Sequence, residues 1–315
     1  MRVFALTSLL LGLAACTTGF GIALPEPLYA KPSPIPMPMA CAPSDLAQGT
    51  RTAVVVQSTL GEPTAVARFL SQALATPVRA HPMPERCGKD LAQLFVQGRV
   101  DVAYVSALTY VGGELDRKVH RLATAIRGGE PTHRAVLFSA AGSPLRSLED
   151  LRASRGTSVT WTLQTTEQVF IEAELRSRGL SWREINLELF RGRSWNGPEP
   201  WCNDVVQGRA QLGASWAVDH DGQPAKVVTG CVHALGAQAE KLQIVVASGP
   251  IPNDLVVVRA DLPDAEKTAI SSALRRLADN KNGRTILAEA FNAENFGDVD
   301  EATFGTVRET LAAFE

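Results

Sequence analysis

Little in this chain marks out an enzyme. Its five histidines are scattered. There is no Gly-x-Ser-x-Gly elbow, no phosphate-binding P-loop and no His-Glu-x-x-His pair, so the common marks of a serine hydrolase, a nucleotide hydrolase and a zinc hydrolase are missing. No nucleophile stands beside a base and an orienting group, and no motif calls for a cofactor. An excess of one charge is missing too: 31 basic side chains face 33 acidic ones. With that balance and no basic run, nucleic acid is not an expected partner. The clearest apolar run, Val3 to Ala15, is too short for a bilayer-spanning helix.

That run has another use. Arg2 provides a positive start, and the apolar stretch has the length of a signal-peptide core. It ends in Leu13-Ala14-Ala15-Cys16, which resembles the bacterial lipoprotein cleavage box. The resemblance implies a signal peptide over 1–15, diacylation of Cys16, and a chain held to the membrane by that lipid alone, on the periplasmic side. Thr17 stands where an aspartate would resemble an inner-membrane retention signal, so either membrane can hold the anchor. Residues 16–49 then carry Pro25, Pro27, Pro32, Pro34, Pro36, Pro38 and Pro43 and have no apolar period. Such a segment is expected to be an extended tether, at about 3.1 Å per residue.

The globular part is organised around Leu94 to Val111. Gly98 ends a helical pattern, and Val100, Val102, Ala103, Tyr104 and Val105 form an apolar run suited to a strand covered on both faces. Ser106 closes it. Ligands in open α/β sheets collect beyond the carboxyl ends of strands, so Tyr104 to Tyr110 is an expected ligand wall. Gln97-Gly98-Arg99 recurs as Gln207-Gly208-Arg209, again between a helical pattern and a small apolar strand that leads to Ser215. The repeat predicts two similar α/β lobes that present strand ends to a shared cleft.

Further elements follow by pattern. Thr52 to Gln57 reads as the first strand, and Thr59 with Glu62 has capping-box spacing ahead of a helix over Thr64 to Leu74. Strands are expected at Ala135 to Ser139, Ser158 to Thr162 and Leu255 to Val258. Helices are expected from Thr165, where Gln168 repeats the capping-box spacing, over Asp264 to Asp279, and near the end of the chain. The chain is expected to cross between lobes near 135–142 and 245–254.

Without Cys16, four cysteines remain, an even number in an exported chain. Three pairings are open. Cys41 with Cys87 and Cys202 with Cys231 is favoured because each bridge then stays within one lobe. A metal site joining Cys202 and Cys231 to His233, His220 and Asp219 is the lesser alternative, so no metal is expected.

Four passages occur in an order that resembles the phosphate/phosphite/phosphonate-binding family of periplasmic solute-binding proteins of ABC transporters. They are GRVDVAYVSALTYV, GGEPTHRAVLFSAAGSPLRSLEDLR, the strand and Thr-Thr turn at 158–168, and SGPIPNDLVVVRADLP. The resemblance implies an α/β, two-lobed type II architecture with a mostly parallel sheet in each lobe and a two-strand hinge. Lobe 1 would hold 50–138 and 250–315, and lobe 2 would hold 139–249. The implied partners are a small oxyanion, bound in the cleft by a monomer, and an ABC permease. Implied ligand contacts are Ser58, Thr59, Tyr104, Ser106, His133, Thr165 and Thr166. Glu167-Gln168 replaces the end of the family's Ser-Thr-Ser-Gly loop. Trp161, Trp195, Trp201 and Trp216 all fall in lobe 2, and with Glu167 and Tyr104 nearby they could instead form an aromatic cage for a cationic or amphipathic ligand. The alternative function is accordingly a lipid-anchored sensor or interaction protein with an altered or lost oxyanion site.

Overall fold

A β-branched run makes β1 (Arg51–Val56), and β2 (Val78–Met83) and β3 (Val102–Val105) lie parallel on either side of it, Ala53 standing opposite both Ala80 and Val102. This computed structural model describes residues 41, 51–56, 62–154, 159–162, 165–180, 187–189, 200–219, 225–298 and 300–314. The signal segment, Cys16, most of the tether, Ser58, Thr59 and His220 lie outside the described residues. For Trp161, Thr165, Thr166, Glu167 and His233 only the backbone is described.

Helices α1 (Pro63–Leu74) and α2 (Gly88–Val96) make the parallel connections. The first begins at Pro63, with Glu62 in the N-cap position and making no side-chain cap. Proline suits the first helical position because it has no N–H to leave unpaired. Glu62 therefore precedes the helix and does not close the capping box expected from its spacing to Thr59.

Beyond β3 the first sheet continues through antiparallel strands β11 (Leu255–Arg259), β4 (Val119–Ile126) and β12 (Asn295–Gly297), in the order β12-β4-β11-β3-β1-β2. The second sheet has the order β10-β5-β8-β6-β7. It is formed by β10 (Ile251–Pro252), β5 (Thr132–Ala140), β8 (Leu212–Ala217), β6 (Val159–Thr162) and β7 (Leu187–Leu189), with β9 (Leu242–Ala247) also on β5. Both sheets are mixed, where mostly parallel sheets are expected from the sequence. Two chain crossings running in opposite directions lie side by side, so outgoing β4 pairs antiparallel with returning β11, and outgoing β5 with returning β9.

The crossings lie at 127–131 and 253–254. All of β5 therefore belongs to the second sheet, and the lobe boundary expected at 138 and the first crossing expected at 135–142 move upstream. Gly128 and Gly129 turn the chain there with φ of +59° and +81°, values that L side chains rarely adopt. Val218 packs beside Gly128.

Separate apolar cores fill the outer faces. One holds Phe69, Val256 and Ile270, and the other Phe138, Val205 and Val228. A third cluster joins the sheets. It runs from Val105 and Val257 through Phe304 and Val307 of the last helix (α10, Phe304–Ala312) to Leu137, Ala214 and Phe170. That helix packs on α3 (Ala107–Gly112) and on α5 (Thr165–Ser177), the helices that follow β3 and β6.

Both favoured disulfides are present, Cys41–Cys87 and Cys202–Cys231. The second ties α6 (Pro200–Val206) to α7 (Thr229–Leu235). Bridged cysteines have no thiolate to offer, which removes the metal alternative at Cys202 and Cys231. Among the described residues, the one cluster of metal-type donors is Cys41, Cys87 and Asp90, and it contains the first bridge.

Candidate functional site at the chain crossings

Strand registers bring the candidate site together. In the first sheet Leu255 stands opposite both Val105 and Thr124, so the end of β3, the start of β11 and the end of β4 share one edge. In the second, Arg134 stands opposite Ala217 and Val136 opposite Ala247, so the start of β5 lies beside the ends of β8 and β9. The crossings join these two edges, and the carboxyl ends of β3 and β8 open there.

The crossings are tied to each other by buried polar groups. The Arg127 guanidinium pairs with the Asp254 carboxylate, donates to the Tyr104 hydroxyl at 3.2 Å, and through Nε donates to the Asn292 carbonyl at 2.7 Å. Burial pushes the Asp254 carboxyl up, and the facing guanidinium opposes that push. Asn253 is fully buried. Its Nδ2 donates to the carbonyls of Ala125 (3.0 Å) and Glu130 (2.9 Å), and its backbone N–H donates to the Pro131 carbonyl. Its Oδ1 lies 2.8 Å from His133 Nδ1. The Gly128 and Gly129 N–H groups both donate to the Glu294 carboxylate, at 3.0 and 3.1 Å.

On the second sheet, Arg134 Nε donates to Asp219 Oδ2 at 2.7 Å and Nη1 donates to the Ser248 carbonyl at 2.7 Å. Burial holds the His133 imidazole down at about 4, and nearby Arg127 acts in the same direction. The ring is therefore neutral near pH 7. It meets Trp216 edge-on, with centroids 6.3 Å apart.

Three expected ligand contacts are engaged within the fold. Tyr104 is 1% exposed, packs edge-on against Phe291, and donates its hydroxyl hydrogen to the Phe291 carbonyl at 2.5 Å. The residue lies on the core side of β3, in the cluster with Phe69 and Val256. Ser106 caps α3 by accepting from the Thr109 N–H at 3.1 Å and donates to Glu85 at 2.6 Å. Its neighbour Tyr110 is buried against Phe304. Ser215 is fully buried, and a Cβ on Gly230 would lie 2.3 Å from its hydroxyl, so α7 shuts it off from any cleft. His133 and Trp216 remain at the crossing edge of the second sheet, opposite Ile251 and Ala135 respectively.

A family model described as the phosphonate-specific periplasmic substrate-binding protein of ABC transporters matches residues 62–304, a span covering most of both sheets. The chain belongs to this phosphonate-binding family. Members of the family are non-enzymatic, periplasmic components of transport. Among the described residues no helix is long and apolar enough to cross a membrane.

Three solved structures share the fold. A Xanthomonas citri protein bound to ATP is 17% identical over 84% of this chain and 96% of its own, with a TM-score of 0.58. The binding component of an ABC phosphonate transporter from Pseudomonas aeruginosa is 15% identical over 84% and 86%, with a TM-score of 0.57. PhnD1 from Prochlorococcus marinus, in complex with methylphosphonate, is 15% identical over 84% and 98%, with a TM-score of 0.56. The shared fold is that of type II periplasmic binding proteins. No curated protein sequence matches the chain.

For this phosphonate-binding-family chain, sequence reasoning missed Arg127, Asp254 and the Arg134–Asp219 pair. The turn at 127–133 and Ile251-Pro252-Asn253 were both visible as features, but their pairing crosses more than a hundred residues. No local pattern records it.

Proposed function

We propose that this protein is a lipid-anchored receptor that takes a small oxyanion of the phosphate, phosphite or phosphonate class into the gap between its two sheets and delivers it to an ABC permease. The observation that carries this reading is the family match, which runs through both sheets and both crossings. Helix α5 starts directly after β6, and the unpaired N–H groups of a first helical turn favour an anion. The proposed ligand contacts are Ser58 and Thr59 after β1, Trp161 in β6, Thr165 and Thr166 at the start of α5, and His133 and Trp216. The receptor acts as a monomer.

Isothermal calorimetry with phosphate, phosphite, methylphosphonate and 2-aminoethylphosphonate tests the ligand class, and saturable binding of at least one is expected. Glu167 favours a second reading, because it places a carboxylate in the first turn of α5 where the family's loop carries none. A carboxylate there opposes a dianion. If none of the four ligands binds, the sensor or interaction protein is the better account. The anchor has its own test: Cys16→Ser is expected to move the protein from the membrane fraction to the soluble one, and unchanged fractionation would remove the lipid from the proposal.

A further inference from the structure

We propose that His133 acts as a hydrogen-bond acceptor for the ligand, so that the site selects an oxyanion still carrying one acid proton over an equally shaped oxyanion with none. The inference rests on the reading above that the ligand occupies the gap at the chain crossings.

The position of the ring follows from the strand. Side chains alternate along β5, and Ala135 and Leu137 face the cluster that also contains Phe170 and Ile171 of α5. His133 falls on that same face. So does its cross-strand partner Ile251, another member of the cluster. His133 thus stands on the α5 side of the second sheet, at the edge where the crossings meet, and it is partly exposed there.

The tautomer follows from the hydrogen bonds. Both Asn253 amide hydrogens go to carbonyl oxygens, those of Ala125 and Glu130. The oxygen of the amide must then be the atom facing His133 Nδ1 at 2.8 Å. An amide oxygen only accepts, so Nδ1 carries the proton. In a neutral ring Nε2 is then a bare lone pair, and it has no partner among the described residues.

The charged groups nearby leave this arrangement in place. Arg127 and Asp254 pair with each other across the crossings, and Arg134 pairs with Asp219 on the adjoining edge. Glu130 lies in the first crossing, and Glu167 lies in the first turn of α5. Arg127 and burial both oppose a second proton on the ring. A fully ionised oxygen would meet the lone pair without a hydrogen between them, whereas a P–OH group would donate to it. A buried acceptor left without a donor is the costly case.

The test compares methylphosphonate, which can carry an acid proton near neutral pH, with methanesulfonate, which has the same shape and carries none. Calorimetry on the full mature chain is expected to show methylphosphonate bound on the order of tenfold or more tightly at pH 7. Its affinity should fall as pH rises between about 5.5 and 8.5, a range in which His133 stays neutral. His133→Phe keeps an aromatic ring but offers no acceptor, and is expected to bring the two affinities within about threefold. Equal affinities in the wild type, affinity rising with pH, or an unchanged preference in His133→Phe would each overturn the role of His133. Should the variant not fold, the wild-type ligand pair and pH series decide alone. Absence of binding by any oxyanion would overturn the functional reading itself, and this inference with it.

Discussion

Asp254→Leu is expected to destabilise the protein by about 3–5 kcal/mol, because it leaves the Arg127 guanidinium buried without its counter-charge. Side chains of both residues are mostly buried, at 15% and 12% exposure, and each belongs to a different crossing. Arg127 also donates to Tyr104 and to the Asn292 carbonyl, so the carboxylate holds in place a guanidinium on which several elements depend. Arg127→Met should cost a similar amount by stranding Asp254. The double variant Arg127→Met/Asp254→Leu removes both charges together and should recover most of the loss, since a buried ion pair is often no more stabilising than apolar groups of similar volume. Urea unfolding of the four proteins completes the cycle. If each single variant lost less than about 1 kcal/mol, or if their losses simply added, the pair would not be the tie between crossings described above.

The sequence makes the local elements plain and the joints between them obscure. β3 is legible because Val102 to Val105 are apolar without a break, and α1 because Val66, Phe69 and Leu70 recur at helical spacing and are buried. The disulfide pairing is legible because the repeat implies two lobes and each bridge stays within one. The placement of Tyr104 is not. An apolar run shows that a strand is covered, but it does not show whether a given tyrosine turns to the cleft or to the core. That depends on Phe69 and Phe291, which arrive from distant parts of the chain. The first crossing is misplaced for a related reason. Ala135 to Ser139 reads as a strand in its own right, and only pairing with β8 and β9 assigns it to the second sheet. Ser215 looks like a counterpart of Ser106 because both follow a strand core. Gly230 sets them apart by allowing α7 to close over one of them.

Removing the Cys202–Cys231 bridge is expected to cost about 3.5 kcal/mol, and removing Cys41–Cys87 about 4 kcal/mol, from the loop entropy each returns to the unfolded chain. The difference follows from the sequence separations of 29 and 46 residues. What each loop contains matters more than its length. The 202–231 loop includes β8, whose Gly213 and Ala217 lie opposite Phe138 and Arg134 at the centre of the second sheet. Its two helices cover the outer core that holds Val136 and Phe138. The 41–87 loop includes β1, α1 and β2, and its bridge fixes residue 41 to the start of α2. Cys202→Ala/Cys231→Ala should therefore loosen the α6–α7 face, while Cys41→Ala/Cys87→Ala should free the entry of the chain into the first sheet. Urea unfolding with and without dithiothreitol checks both. Each double variant should be destabilised without reductant, and the wild type in dithiothreitol should lose at least as much as either. A wild-type midpoint that reductant leaves unchanged would mean that the bridges do not constrain the unfolded chain. The expected loss bears on where the protein can work, because a fold that depends on two bridges is secure only in an oxidising compartment, and the periplasm is one.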